Sequence, residues 1–397
     1  MKLSGRLNGL EESVTLAITA KARSLKAEGK DIIGFGAGEP DFDTPSNIKE
    51  AAIKAINTGQ TKYTPVGGIN ELKDAIINKF KKDNNLAYSR DEIIVSCGGK
   101  HSIFNLFQAI LNPGDEVIIP APYWVSYPVI VALGGGTPKI VRTSESEGFK
   151  MSVEAFKAGI SPEAKAVVIN SPSNPTGAAY TTDELRAIAE AALKNDLLIV
   201  SDEIYEKLAY DGFKTASIAS ISDEVKRSTV VLNGVSKAYS MTGWRIGYAA
   251  GPKEIIKAMT NIQSQSTSNP TSISQWAAVE ALNGSQESIS KMLKEFEKRR
   301  NAIVEGLNAI KNVSCIRPQG AFYVFANVSK SYGKKFKDRV IKGSVDMANY
   351  LLDEAGVAVV PGAPFGDDSF VRLSYAISME NIIEGVRRIG KAIGELK

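Results

Sequence analysis

Histidine and cysteine are almost missing from this chain. The single imidazole, His101, excludes His-rich metal centres, and it excludes a Ser-His-Asp arrangement unless His101 itself is the base. Cys97 and Cys315 are too few and too far apart in sequence for a disulfide framework or a thiolate metal site, a usage that suits a reducing cytoplasm. No apolar run approaches the roughly 20 residues a membrane span requires, and Met1-Lys2-Leu3-Ser4-Gly5-Arg6 lacks the apolar block of a signal peptide. The expectation is a soluble, cytoplasmic protein with no membrane partner. An excess of charge is lacking too: 48 Lys and Arg against 44 Asp and Glu leave +4, too slight over such a length for the footprint of a nucleic-acid binder.

The 397 residues allow two or three folding units. At 43% apolar and 23% charged, the composition is that of a globular chain, which excludes disorder or collagen as a global state. From Asp31 onward short β-branched runs alternate with amphipathic helical stretches, the pattern of an α/β fold with a mainly parallel sheet covered on both faces. Six continuous apolar runs are expected as buried strands, at 92–96, 116–119, 166–169, 197–200, 229–232 and 246–249. Thr44 is expected to cap a helix that opens with Pro45 and presents Ile48, Ala52 and Ile56. Thr181 or Thr182 is expected to cap another carrying Leu185, Ile188 and Ala192. After about Gly251 long helices dominate, with strands near 321–325, 357–360 and 370–373, which reads as a smaller α+β unit. The expected division is a large domain over 45–290 and a small one made of 31–44 with 291–397. Residues 1–30 would form a segment packing on the small domain or on a partner subunit. The Lys-rich stretch 330–342 is expected to be a surface loop.

In an open parallel sheet, ligands bind beyond the carboxyl ends of the strands. The run 166–169 leads into Asn170-Ser171-Pro172-Ser173-Asn174-Pro175-Thr176-Gly177, a proline-braced loop that offers Asn174. The next leads into Ser201-Asp202-Glu203-Ile204-Tyr205, and the one after it into Asn233-Gly234-Val235-Ser236-Lys237. An amide, an acid, a phenol and an amine thus converge. A lysine amine condenses with an aldehyde once burial and nearby positive charge leave it partly unprotonated. An acid such as Asp202 keeps a pyridine nitrogen protonated, which makes a pyridoxal ring an electron sink. Asn174 and Tyr205 are candidates to hydrogen-bond the ring oxygen, and Trp124 to stack on the ring face. For a cofactor phosphate, Gly98-Gly99-Lys100 follows a strand and opens a helix, where free amides and the helix dipole face an anion. Ser236 and Arg245 would complete that seat, an arginine fork being well matched to phosphate.

Taken singly, each of these residues has an ordinary explanation: charged side chains are mostly solvated, Asn174 suits a turn, and Trp124 and Tyr205 suit a core. Gly98-Gly99-Lys100 fails as a P-loop because Ile94 stands at the leading glycine and His101 at the Ser/Thr position. Gly34-Phe35-Gly36-Ala37-Gly38 fails as a dinucleotide fingerprint, its third glycine one residue early and Glu39-Pro40 following in place of a helix. What favours chemistry is that every polar group falls at the end of a predicted strand in one crevice.

The stretch Gly234-Val235-Ser236-Lys237-Ala238-Tyr239-Ser240-Met241-Thr242-Gly243-Trp244-Arg245-Ile246-Gly247 resembles the lysine signature of class I pyridoxal-phosphate aminotransferases. Ala37-Gly38-Glu39-Pro40-Asp41-Phe42, Tyr63-Thr64-Pro65, Gly98-Gly99-Lys100, Pro122-Tyr123-Trp124, Asn174-Pro175-Thr176-Gly177, Ser201-Asp202-Glu203-Ile204-Tyr205 and Arg372-Leu373-Ser374 extend the likeness over nearly the whole chain. It is similar in particular to the bacterial aspartate aminotransferases of subgroup Ib. The resemblance implies pyridoxal 5'-phosphate as cofactor and fold type I, with a mainly parallel seven-stranded sheet in the large domain. It also implies an active homodimer with shared sites.

By the same resemblance Lys237 would form the Schiff base and move the proton at the substrate Cα. Asp202 would pair with the pyridine nitrogen, and Asn174 and Tyr205 with the ring oxygen. Arg372, with Gly38 and Asn174, would hold the substrate α-carboxylate, and Tyr63 would reach the phosphate in the partner subunit. For the distal carboxylate of aspartate or glutamate the resemblance points to Lys100, Ser13 and Thr15. The arginine that reads this group in animal-type enzymes has no counterpart, the matching stretch being Gln263-Ser264-Gln265-Ser266-Thr267-Ser268. His101 departs from the Gln common at its position. Glu11 stands where relatives that also take prephenate tend to carry Lys, which speaks against that second activity. The implied reaction carries the amino group of L-aspartate to 2-oxoglutarate by a ping-pong route. Its rivals are an aminotransferase for alanine, aromatic acids or prephenate, a lyase acting at Cβ, and a non-catalytic ligand-sensing module.

Overall fold

A computed structural model describes residues 14–397. The apolar runs pair into a seven-stranded sheet in the order Ile93–Ser96, Gly247–Ala250, Thr229–Gly234, Leu198–Asp202, Ala164–Asn170, Glu116–Ala121 and Thr137–Arg142. Helices cover both faces, so Ile94, Val167, Ile199 and Val230 are completely buried. The edge strand Thr137–Arg142 escapes the sequence reading because only Val141 in it is buried and its Thr-Pro-Lys opening carries no apolar run.

Every neighbouring pair in this sheet is parallel except the two made by Gly247–Ala250, which runs antiparallel between Ile93–Ser96 and Thr229–Gly234. Gly247 lies opposite both Ser96 and Gly234, so this strand begins where its neighbours end. Arg245, two residues earlier, therefore stands at the carboxyl edge of the sheet. In a parallel strand it would stand at the opposite edge.

Thr181 caps Thr182–Lys194 in a reciprocal box: its hydroxyl accepts from the Glu184 amide at 3.3 Å, and Glu184 Oε2 accepts from the Thr181 amide at 2.7 Å. The expectation for Thr44 fails. The helix Ser46–Asn57 has no side-chain cap, and Thr44 Oγ1 instead donates to the Ser240 carbonyl at 2.7 Å while accepting from Trp244 Nε1 at 3.0 Å. Ile56 is 51% exposed, although Ile48 and Ala52 of the same helix are buried.

A second sheet, all antiparallel, consists of Val360–Pro361, Phe370–Ser374 and Tyr323–Asn327. Phe296, Ile303 and Leu307 of the helix Glu287–Asn308 share a core with it and with Ile382 and Ile389 of Met379–Gly394. The run expected at 357–360 divides, because Val357–Ala358 pairs instead, in parallel, with Ile33–Gly34. Ala22 and Ile32 pack with Leu352 and Ala358, which lays the helix Val14–Ala27 against this region. The stretch expected as a loop at 330–342 holds a short hairpin of Lys335–Phe336 with Arg339–Val340, anchored by the Phe336 ring 5.3 Å from that of Tyr350. No described helix is long and apolar enough to cross a membrane.

Behind the strand Leu198–Asp202 lie two buried acids. Glu206 is paired with buried Lys79 and accepts from Asn84 Nδ2 at 3.0 Å and Asn233 Nδ2 at 2.9 Å. Glu203 has only hydroxyl donors, Ser201 Oγ at 2.8 Å and Ser217 Oγ at 2.7 Å, and its other oxygen is buried without a partner. Burial, with the Glu206 charge adding to it, pushes Glu203 up from 4.5 to about 7. Between those two values the folded state holds a proton that the unfolded chain has released, so stability falls as pH rises through that window and the full cost is present above it. Glu203→Gln, neutral at every pH, is expected to raise the denaturant midpoint at about pH 8.5 far more than at about pH 5. Equal effects at the two pH values would show that this acid is not protonated in the fold.

Candidate active site

The carboxyl edge of the large sheet gathers the polar groups. Lys237 stands three residues beyond the strand Thr229–Gly234, and its Nζ donates to the Gly38 carbonyl at 2.5 Å, a neutral partner. Burial, reinforced by the positive charge of Arg372 and then of Arg245, pushes its ammonium down to about 8 against the pull of Glu39 and Asp202. An appreciable share is therefore free amine near neutral pH.

Asp202 ends its strand, directly opposite Asn170. Its Oδ2 accepts from the Tyr127 hydroxyl at 2.6 Å and its Oδ1 from the Ile204 amide at 3.2 Å. Burial pushes this acid up, and those two donors oppose the shift. Asn170 Nδ2 donates to the Asp202 carbonyl at 3.0 Å while Asn170 Oδ1 accepts from the Asn174 amide at 2.9 Å, which ties the proline loop to the strand end. The Tyr205 hydroxyl lies 2.9 Å from that of Tyr323.

Arg372 reaches the same crevice from the smaller sheet. Its Nη1 donates to Asn174 Oδ1 at 3.0 Å and its Nη2 to the Gly36 carbonyl at 2.8 Å. The rings of Tyr323 and Phe365 lie 4.5 and 5.1 Å from its Cζ. Nε is buried without a partner, and burial pushes the guanidinium down. A cation so deep and without a counter-ion is costly unless an anion joins it.

The phosphate seat takes shape at the helix Gly99–Ile110, whose first turn has no side-chain cap, leaving the Gly99 and Lys100 amides to an anion while those of His101 and Ser102 bond the Gly98 carbonyl. Gly98 precedes it at φ 90°, ψ 163°, a region essentially restricted to glycine, and a Cβ there would fall on the Arg245 guanidinium. A Cβ on Gly247 would overlap the backbone of Gly98 and Gly99, so the antiparallel strand and the turn meet main chain to main chain. Arg245 is held by the Thr242 carbonyl at 2.8 Å, and Ser236 is buried nearby in sequence to Lys237.

Lys100 Nζ lies 5.1 Å over the Trp124 ring, and Trp124 packs edge-on against Tyr127 at 5.3 Å. Tyr63 does not join this cluster: it is 93% exposed. Thr15 lies in the helix Val14–Ala27, and Ser13 and Glu11 lie outside the described residues. No group of three or more His, Cys, Asp or Glu side chains among the described residues is placed to hold a metal ion.

Sequence reasoning passed over Tyr127, Asn170, Tyr323, Gly36 and Phe365. A signal existed for two of them: Asn170 opens the proline loop itself, and Tyr127 follows Trp124 by three residues across the turn that leads into the helix Ser126–Leu133. Nothing local marks Gly36, Tyr323 or Phe365, which matter only through contacts across the fold.

A buried amine of weakened basicity contributes nothing to folding that a neutral side chain would not do better. It belongs to covalent chemistry at a carbonyl carbon, and it sets the chain among α/β enzymes that work through a lysine. Comparison narrows the class: residues 30–389 match the family described as aminotransferase class I and II, and the chain belongs to that family. It is 55% identical over 392 residues to an aspartate aminotransferase of Bacillus sp. (strain YM-2), covering 98% of this chain and 99% of that protein. It is also 55% identical over 396 residues to a probable aspartate/prephenate aminotransferase of Rickettsia bellii (strain RML369-C), covering 99% of each. Among solved structures, the aspartate aminotransferase from Rhizobium meliloti superposes with a TM-score of 0.96 at 46% identity over 100% of both chains.

The glycine-only conformation at Gly98 gives a direct check. Gly98→Ala is expected to cost about 1–3 kcal/mol in chemical denaturation, from backbone strain and displacement of Arg245. Unchanged stability would mean that this turn is not held as described.

Proposed function

We propose that this protein is a pyridoxal 5'-phosphate-dependent aspartate aminotransferase, converting L-aspartate and 2-oxoglutarate into oxaloacetate and L-glutamate by a ping-pong mechanism. The observation that carries the reading is the Lys237 amine, held on a neutral carbonyl and depressed by burial and Arg372, in one crevice with the buried acid Asp202. The donor set suits this cofactor. The uncapped turn at Gly98, Gly99 and Lys100, with Ser236 and Arg245, would hold the phosphate. Asp202 would meet the ring nitrogen, Asn174 and Tyr205 the ring oxygen, and Trp124 the ring face.

When bound, pyridoxal phosphate supplies an electron sink for the charge left at the amino acid Cα. Lys237 is the amine that would hold the cofactor's aldehyde carbon, and as a free amine it would take and return the proton at that Cα. Asp202, oriented by Tyr127, keeps the ring nitrogen protonated. Arg372 grips the α-carboxylate, the role its unpartnered Nε leaves open, while Asn174 and the Gly38 backbone complete that seat. For the distal carboxylate we infer Lys100, with Thr15 and Ser13. The names of the relatives support aspartate. Prephenate appears in the name of the Rickettsia protein, and Glu11 here argues against it.

The proposal includes a cytoplasmic homodimer with shared sites. Ile53, Ile56 and Tyr63 leave apolar surface that a second copy would cover, and Tyr63 would reach the partner's phosphate seat. Within each subunit we divide the chain into a large domain, 45–290, and a small one, 31–44 with 291–397, with 1–30 as a segment packing on the small domain or on the partner subunit.

Lys237→Ala is expected to abolish transamination and borohydride-trapped cofactor at this position while leaving the circular dichroism spectrum unchanged. A variant that keeps near-normal turnover would end the mechanism. Arg372→Leu should weaken amino acid and oxo acid alike by about 2–5 kcal/mol, as when a buried charge pair loses one partner. Steady-state KM values for both substrates decide it, and unchanged values would remove Arg372 from that role.

A further inference from the structure

Tyr323 opens the strand Tyr323–Asn327 and is 1% exposed. Its oxygen lies 2.9 Å from that of Tyr205, its ring lies 4.5 Å from Arg372 Cζ, and a Cβ added at Gly38 would come within 3.2 Å of its hydroxyl. One side chain thus touches a phenol, an arginine and the segment whose carbonyl holds Lys237. We propose that Tyr323 is a positioning residue that sets the direction of the Tyr205 proton, donating to the Tyr205 oxygen so that Tyr205 must donate into the crevice. The proposal rests on the pyridoxal-phosphate reading above.

Each phenol has one proton to give and lone pairs to accept with. Burial pushes both up, Tyr205 well above the ordinary phenol value and Tyr323 upward against the pull of Arg372, so both stay protonated through the working pH range. A pair 2.9 Å apart uses one proton between its oxygens, and the other must leave the pair. Arg372, over the Tyr323 ring, is a donor only and cannot take it. An anionic ring oxygen in front of Tyr205 can, and a hydrogen bond to an anion is the stronger one. The Tyr323 proton then fills the lone pair of Tyr205, and the chain of two bonds polarises Tyr205 into a better donor. With pyridoxal phosphate bound, this would offset charge on the ring oxygen and lower the pH at which the nitrogen supplied by Lys237 gives up its proton. The Tyr323 ring serves separately: with that of Phe365 it packs against the Arg372 guanidinium, 4.5 and 5.1 Å from its Cζ.

The test separates hydroxyl from ring. In the holoenzyme, Tyr323→Phe is expected to raise the pH midpoint of the cofactor's visible absorbance band by about half a unit, a fraction of one hydrogen bond. Its affinity for succinate, a non-reacting dicarboxylate, should stay unchanged. Tyr323→Leu should in addition weaken succinate about five-fold through loss of the cation–π face. In a Tyr205→Phe background, Tyr323→Phe should move the midpoint no further. An unmoved midpoint in Tyr323→Phe, or the same shift with Tyr205 already replaced, overturns the inference. A parent protein that takes up no pyridoxal phosphate overturns the underlying reading and the inference with it.

Discussion

Lys237 and Arg372 share one crevice, and among the described residues no carboxylate forms an ion pair with either. Lys237 rests on the Gly38 carbonyl and Arg372 on Asn174 and the Gly36 carbonyl, and burial pushes both down, the lysine to about 8 while the guanidinium stays charged. Burial first, and then the nearby charge of Arg372, makes the amine a nucleophile at neutral pH, and the buried guanidinium leaves the crevice asking for anions. Asp202 pulls the amine back up only in part, its oxygens being bonded to Tyr127 and the Ile204 amide and not to Lys237. A carboxylate placed beside Lys237 would quiet the site and spoil it.

Holding those charges in place requires both sheets at once. Lys237 comes from the end of a parallel strand, and Arg372 from the middle of an antiparallel one. The segment from Ile33 to Gly38 joins them. It pairs with Val357–Ala358, bonds the Ser374 amide through the Phe35 carbonyl at 2.8 Å, and then offers the Gly36 and Gly38 carbonyls to the two cations. A backbone carbonyl is a useful partner here, because it accepts a hydrogen bond without neutralising the donor's charge.

Most of the site was legible because the rule for open sheets is geometric: in parallel strands the groups that follow each apolar run arrive at one edge. Asn174, Asp202, Tyr205 and Lys237 follow that rule, and the central strands were visible as β-branched runs because burial on two faces demands them. The edge strand Thr137–Arg142 was not, since one exposed side permits Thr, Pro and Lys. Thr44 looked like a cap by local rules, yet its hydroxyl bonds Ser240 and Trp244, two hundred residues away in the chain.

By itself the sequence determined the α/β class, the run of strands that ends in the reactive groups and the chemical kinds present at those ends, because periodicity and turn chemistry are local properties. Only the tertiary structure decided that Gly247–Ala250 runs against its neighbours and so carries Arg245 to the Gly98 turn. It alone paired Tyr127 with Asp202 and Tyr323 with both Tyr205 and Arg372. Strand direction and long-range pairing depend on which surfaces the whole chain can bury together, and no short stretch of residues contains that information.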